Sequence, residues 1–237
     1  MAIVVDILRH GQPEGGEILR GRLDHPLAEA GWQQMWLATG HPSGPVSDSE
    51  TNDSENFPWD EIVTSPLQRC RQFAEKLAAR TGLPVSVEPA WREIDYGEWE
   101  GLPLPEWRRL AAAQFQAFRH DPAALHPPGG ESFTGFRDRI LDAWSCLLQR
   151  SEGRRILLIT HGGVMRVILP TVLGMPLNRT GVLEIPFACL SRVAVSGTQD
   201  QRQARLLGHN ISSPAPVAAI ALPSDNGPEI PGSPGNH

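Results

Sequence analysis

Lysine is almost absent from this chain: of 21 basic residues only Lys76 is a lysine, and the rest are arginine. No GxxxxGK[ST] phosphate loop can therefore be present, which excludes a nucleotide-triphosphate engine of that type. What remains is arginine, whose planar fork suits two-pronged contacts with phosphate. Cysteine is scarce as well. Cys70, Cys146 and Cys189 are odd in number, lie far apart and include no CxxC pair, which argues against a disulfide framework or a zinc knuckle. Their expected role is buried apolar filler. None of the eight histidines forms an HxxxH or HExxH pair, so no metal site is expected. An excess of basic charge is missing too. The net charge of −6 argues against nucleic acid as a partner and confines any anion site to a local pocket. No apolar run approaches the roughly 18 residues of a membrane span, and the first strand-like run has no basic start of the signal-peptide kind. No membrane partner is expected, and the cytoplasm is the expected compartment.

The 40% hydrophobic and 20% charged content is that of a globular chain, and 237 residues suffice for one sizeable core. Residues 3–8 form a short β-rich run ended by His10-Gly11, and helical spacing follows over 27–39. Residues 41–60 hold five acids, no basic residue and many Ser, Pro and Asn, the composition of a flexible acidic surface insertion. A strand over 61–64 leads to Ser65-Pro66, expected as cap and first turn of a helix over 67–81. Another strand is expected over 85–88, a helix near 105–119, and a longer helix over 133–150. In that last helix Ile140, Trp144, Leu147 and Leu148 make one apolar stripe. The nearly continuous apolar run 155–160 predicts a central parallel strand, followed by a helix from Gly162. Runs 188–196 and 204–207 predict an edge hairpin. From Ser212 onward Pro, Gly, Ala and Ser dominate, and a disordered tail over 211–237 is expected. Alternating strands and helices give a three-layer α/β/α sandwich with a mainly parallel central sheet, in a single domain over 1–210. Ligands of such sheets bind beyond the carboxyl ends of the strands.

Two histidines stand at matching strand ends, His10 in Leu8-Arg9-His10-Gly11 and His161 in Thr160-His161-Gly162-Gly163. Ser65-Pro66-Leu67-Gln68-Arg69 follows a third strand, so Arg69 and backbone N–H groups can converge there on an anion. With the acidic and aromatic loop Glu93-Ile94-Asp95-Tyr96-Gly97-Glu98-Trp99-Glu100-Gly101, these pieces resemble the histidine phosphatase, or phosphoglycerate-mutase-like, superfamily in content and order. The resemblance implies His10 as nucleophile, Arg9, Arg69 and His161 as the phosphate pocket, and Glu93 as proton donor, with no cofactor. Asp95, Glu98 and Glu100 compete with Glu93 on residue type alone. The segments around Arg20-Gly21-Arg22-Leu23-Asp24-His25-Pro26-Leu27 and His126-Pro127-Pro128-Gly129-Gly130-Glu131 look like α-ribazole phosphatases. That likeness makes Arg20, Arg22 and Glu131 further candidate contacts to a small phosphate ester, and Gln12 and Gly162, next to the two histidine motifs, are candidates beside them.

Residue chemistry leads the same way. A neutral imidazole offers a lone pair for in-line attack at phosphorus, and the resulting phosphohistidine divides one hard displacement into two easier ones. Guanidinium forks and a second histidine supply the charge stabilisation that other phosphoryl-transfer enzymes draw from magnesium. The expected activity is phosphomonoester hydrolysis, with α-ribazole 5′-phosphate, a cobalamin precursor, as one substrate. The alternatives are phosphoglycerate-mutase-type transfer and a phospho-ligand binding module without turnover. Lys76 lies on the wrong segment for a carboxylate clamp of the mutase kind. Oligomeric state is open, a homodimer being one option.

Overall fold

The computed structural model describes residues 2–41, 57–151, 153–197 and 201–212. Six strands, β1 (Ile3–Arg9), β2 (Glu61–Thr64), β3 (Val85–Val87), β4 (Arg155–Thr160), β5 (Leu190–Ser196) and β6 (Gln203–Gly208), form one sheet. Their order across the sheet is β3-β2-β4-β1-β5-β6. The first four run parallel, and β5 and β6 close one side antiparallel. This is the expected α/β/α sandwich, and β4 lies centrally with both faces covered.

The period-two alternation of each strand builds the layers. Ile3, Val5 and Ile7 of β1, with Ile156 and Leu158 of β4, face a core that holds Phe136, Ile140, Trp144 and Leu147 of helix α5 (Phe133–Arg150). Helix α6 (Gly162–Val172) packs into the same core. Leu8, Leu157 and Ile159 face the opposite layer, made by α1 (Glu29–Ala38) and α2 (Gln68–Thr81). Helix α5 begins at Ser132, whose hydroxyl accepts the Gly135 N–H at 3.1 Å, a side-chain cap in the usual sense.

Three expectations are corrected. The helix near 105–119 is two short helices, α3 (Leu104–Leu110) and α4 (Ala112–Phe118), broken at Ala111, whose buried side chain is drawn into the core. Ser65 does not cap α2, which starts from Leu67 with no side-chain cap. Cys146 is exposed, whereas Cys70 and Cys189 are buried. Most of the acidic segment over 41–60 and nearly all of the 211–237 tail lie outside the described residues. The end of the acidic segment is anchored, however. Trp59 is buried, and its indole N–H donates to Asp6 Oδ2 at 2.8 Å.

Candidate active site

Parallel pairing in register brings the motifs together. Arg9 lies opposite Thr160, and Thr64 lies opposite Ile159, so the carboxyl ends of β1, β4 and β2 stop at one level. The chain stays laced just beyond them: His10 N–H donates to Thr160 O at 2.9 Å and Ser65 N–H to Ile159 O at 3.0 Å. His10, His161 and Ser65 therefore emerge side by side at one edge. The two imidazole centroids are 5.3 Å apart at an interplanar angle of 62°.

His10 Nδ1 lies 2.7 Å from Gly11 O. A carbonyl only accepts, so Nδ1 carries the proton and Nε2 keeps its lone pair. Among the described residues Nε2 has no hydrogen-bond partner. Burial, followed by the charges of Arg69 and Arg9, holds the His10 pKa well below the ordinary histidine value and keeps the ring neutral. His161 is lowered in the same way, first by burial and then by Arg69 and His10. Its Nε2 lies 2.7 Å from Ser65 Oγ, an oxygen that also accepts the Leu67 N–H at 3.3 Å. The Ser-Pro pair thus orients the second histidine rather than beginning a helix.

Arg69 is 1% exposed. Its Nη1 donates to Leu23 O at 2.8 Å and its Nη2 to Gly21 O at 2.9 Å, while its buried Nε has no partner. Arg9 donates from Nη1 to Ile185 O at 2.5 Å, and its guanidinium lies 4.3 Å from the Phe187 ring centroid. Its Nε is likewise buried without a partner. Burial lowers the Arg9 pKa to about 10. Buried Arg69 and half-buried Arg9 each keep a buried, unspent Nε–H, and among the described residues neither has a carboxylate within ion-pair distance, which makes a site that is incomplete without an anion.

The acidic loop separates its four candidates. Glu93 Oε2 accepts the Gly163 N–H at 3.0 Å and Oε1 the Ile94 N–H at 3.0 Å, so this carboxylate lies at the start of α6, two residues from His161. Glycine leaves room for it, since a Cβ on Gly163 would stand 2.1 Å from Glu93 Oε1 and push the carboxylate aside. Glu100 instead accepts the backbone N–H groups of Gly21, Arg22, Leu23 and Tyr96, and is consumed in fixing the loop that carries the carbonyl partners of Arg69. Asp95 pairs with Arg22 at 3.0 Å, and Glu98 is exposed.

The other sequence candidates take varied places. Arg20 donates to the carbonyls of Glu14, Gly16 and Ile18 and to His25 Nδ1, organising its own loop. Its charge still acts on His10 and Arg69. Arg22 is held by Asp95, with 73% of its side chain exposed. Gln12 has an exposed side chain, and its backbone N–H is bound by Gln34 Oε1 at 2.9 Å. Gly162 is buried at the first turn of α6, beside Arg9. Glu131 receives two hydrogen bonds from Arg139, at 3.0 and 2.7 Å. That pair faces the Glu93 loop, because Arg139 also donates to Ala90 O and Arg92 O at 2.7 and 3.0 Å.

Three participants escaped sequence reasoning. Arg139 holds the Glu93 loop from α5. Arg166, one turn into α6, brings Nη1 to 3.3 Å from where a Gly162 Cβ would stand, the same separation as Arg9 Nε, and has no hydrogen-bond partner among the described residues. Phe187 stands over Arg9 and His10. The HGGxxR spacing of His161 to Arg166 put that arginine on the motif's own helix face; nothing in sequence flagged the other two.

Comparison with known proteins gives the family. Residues 5–211 match the model of the histidine phosphatase superfamily, branch 1. The chain belongs to that family. A glucosyl-3-phosphoglycerate phosphatase of Mycolicibacterium vanbaalenii is 31% identical over 75% of this chain and 77% of its own length. The solved structure of a mycobacterial glucosyl-3-phosphoglycerate phosphatase aligns with TM-score 0.71 and 27% identity over 90% of this chain and all of that one. The α-ribazole phosphatase of Shigella flexneri aligns with TM-score 0.67 over 89% of this chain and 97% of that one. At 22% identity this last likeness concerns the fold alone. Some mycobacterial relatives at 30% identity are longer, and this chain spans 42% of their length. Among the described residues no helix is long and apolar enough to cross a membrane.

Proposed function

We propose that this histidine phosphatase superfamily member hydrolyses a small phosphate monoester through a phosphohistidine on His10. The observation that carries the reading is a neutral, buried imidazole, with Nδ1–H spent on Gly11 O, set between Arg9 and Arg69, guanidiniums that have no carboxylate partner among the described residues. In the first step the Nε2 lone pair forms a bond to phosphorus as the bond to the alcohol oxygen breaks. Arg9, Arg69 and His161 donate to the equatorial oxygens, His161 exchanging Ser65 Oγ for the phosphoryl group, and Glu93 protonates the departing alkoxide. In the second step Glu93 takes a proton from water as that water attacks phosphorus, orthophosphate leaves, and His10 returns to its starting state. Protein cations supply the charge stabilisation, and turnover is independent of added metal in this reading.

The substrate candidates are α-ribazole 5′-phosphate, favoured by the loops around Arg20 and Glu131, and glucosyl-3-phosphoglycerate, named for the relative at 31% identity. Phosphate release from p-nitrophenyl phosphate, both candidate esters and 3-phosphoglycerate tests the reading in one screen. The expected result is hydrolysis that persists in EDTA and falls at least a thousandfold in His10→Ala. Near-normal turnover by that variant would refute the nucleophile. Isomerisation of 3-phosphoglycerate with a bisphosphate primer, faster than phosphate release, would make the protein a mutase instead.

A further inference from the structure

Phe187 is the one aromatic among the exposed large hydrophobic side chains of the described residues, with 39% of its surface open to solvent. It does not dangle. Its ring centroid is 5.8 Å from that of His10 and 4.3 Å from the Arg9 guanidinium carbon. The segment that carries it is tied on both sides to the catalytic strand end. Ile185 O accepts from Arg9 Nη1, Ala188 N–H donates to His10 O at 3.1 Å, and Arg9 N–H donates to Cys189 O at 3.0 Å. Between these ties the chain turns tightly, with Cys189 N–H on Pro186 O at 3.1 Å. Ala188 adopts φ +54°, a left-handed conformation that an alanine takes only under constraint. Sequence, strain and hydrogen bonds together fix an apolar ring half in water, directly beside the nucleophile. An apolar ring fixed at the rim of a pocket of convergent polar groups is the ordinary composition of a small-molecule site.

The geometry points to Phe187 as a specificity-determining residue: its open surface is the wall against which the alcohol part of the phosphate ester lies, and it favours alcohols that present a flat aromatic or heterocyclic ring. This inference rests on the phosphatase reading above. Phe187 borders both His10 and Arg9, so its open surface lies at the rim of the pocket in which Arg9, Arg69 and His161 hold the phosphoryl group, within reach of the ester's carbon portion. One side of its ring is occupied by the Arg9 cation. The exposed remainder is free to make an offset or edge contact with a second ring.

Benzyl phosphate and ethyl phosphate test this, because their alcohols have similar acidity and differ in the ring. For the wild-type protein, kcat/KM for benzyl phosphate is expected to exceed that for ethyl phosphate by about tenfold or more. In Phe187→Ala the ratio is expected to fall toward one, chiefly through KM for the benzyl ester, and Phe187→Tyr is expected to restore it. Thermal unfolding of each variant separates this from a loss of fold. An equal loss on both esters would mean that Phe187 only steadies Arg9, and an unchanged ratio would mean that the ring does not meet the substrate; either outcome overturns the inference while leaving hydrolysis intact. Absence of phosphate release from either ester by the wild-type protein would instead defeat the phosphatase reading on which it stands.

Discussion

His10 and His161 are buried imidazoles kept neutral by desolvation and by neighbouring guanidiniums, and this leaves a thermodynamic signature. Each has a folded-state pKa well below 6.5, so below that pH the unfolded chain takes up protons that the folded chain refuses. The stability associated with their neutral burial is intact above the unfolded value. It declines as the pH falls, by about 1.4 kcal/mol per pH unit for each imidazole until the folded-state value is reached. Thermal unfolding followed from pH 7.5 down to 5.5 checks this: the wild-type curve should descend, and His10→Gln should flatten part of the descent. A wild-type Tm that is level over this range would contradict the neutral state. At this scale the sequence was informative where chemistry is written in residue type and strand-end position, as for His10, His161, Arg9 and Arg69. It was silent on Phe187, because an isolated phenylalanine after a proline carries no periodic or motif signal, and its placement depends on hydrogen bonds to a strand end 176 or more residues away in sequence.

The position of the carboxylate is set by whole elements. Helix α6 offers a glycine beneath Glu93, helix α5 reaches across through Arg139 to bind the loop's carbonyls, and Thr160 Oγ1 at the end of β4 donates to Trp91 O at 3.0 Å. Gly163→Ala is the sharpest probe of this arrangement, since alanine suits a helix better than glycine, yet its Cβ would displace Glu93. We expect a folded protein whose kcat falls about a hundredfold on alkyl phosphates, the usual scale of general-acid loss, with a much smaller fall on p-nitrophenyl phosphate, whose leaving group needs no proton. Equal falls on both substrates would assign Glu93 another role. The same elements explain what sequence resolved poorly. The boundaries of α5 and β4 were legible because long periodic or apolar runs determine them. The break at Ala111 was not, because a small apolar residue gives no local stop signal and becomes one only when the core claims it. Glu131 was read as a substrate contact from its loop, whereas the register of α5 places Arg139 opposite it.

Across the whole molecule, the site depends on the register of β1 against its neighbours, and a buried ion pair fastens that register on the antiparallel side. Asp6 on β1 receives Arg192 Nε and Nη2 from β5, both at 2.7 Å, along with the Trp59 indole from the segment preceding β2. Asp6 is 1% and Arg192 3% exposed. Removing one partner would leave the other charge buried, so Asp6→Ala should destabilise the fold by about 3 kcal/mol in denaturant titration; a change below about 1 kcal/mol would show that β1 is held by its ladder alone. The alternation of strands and helices made the layered sheet legible from the sequence, but this cross-link was not, since Asp6 reads there only as an acid interrupting an apolar strand. The central claim is that register brings His10 to a phosphoryl group and that His10 receives it. Trypsin cleavage after Arg9 and Arg20 releases a peptide with His10 as its only histidine. Turnover quenched in alkali, where phosphohistidine survives, should yield that peptide heavier by one phosphoryl group in mass spectrometry, and acid should remove the added mass. Phosphate released by an active protein whose 10–20 peptide never carries that mass, or which carries it on any other residue, would contradict the account.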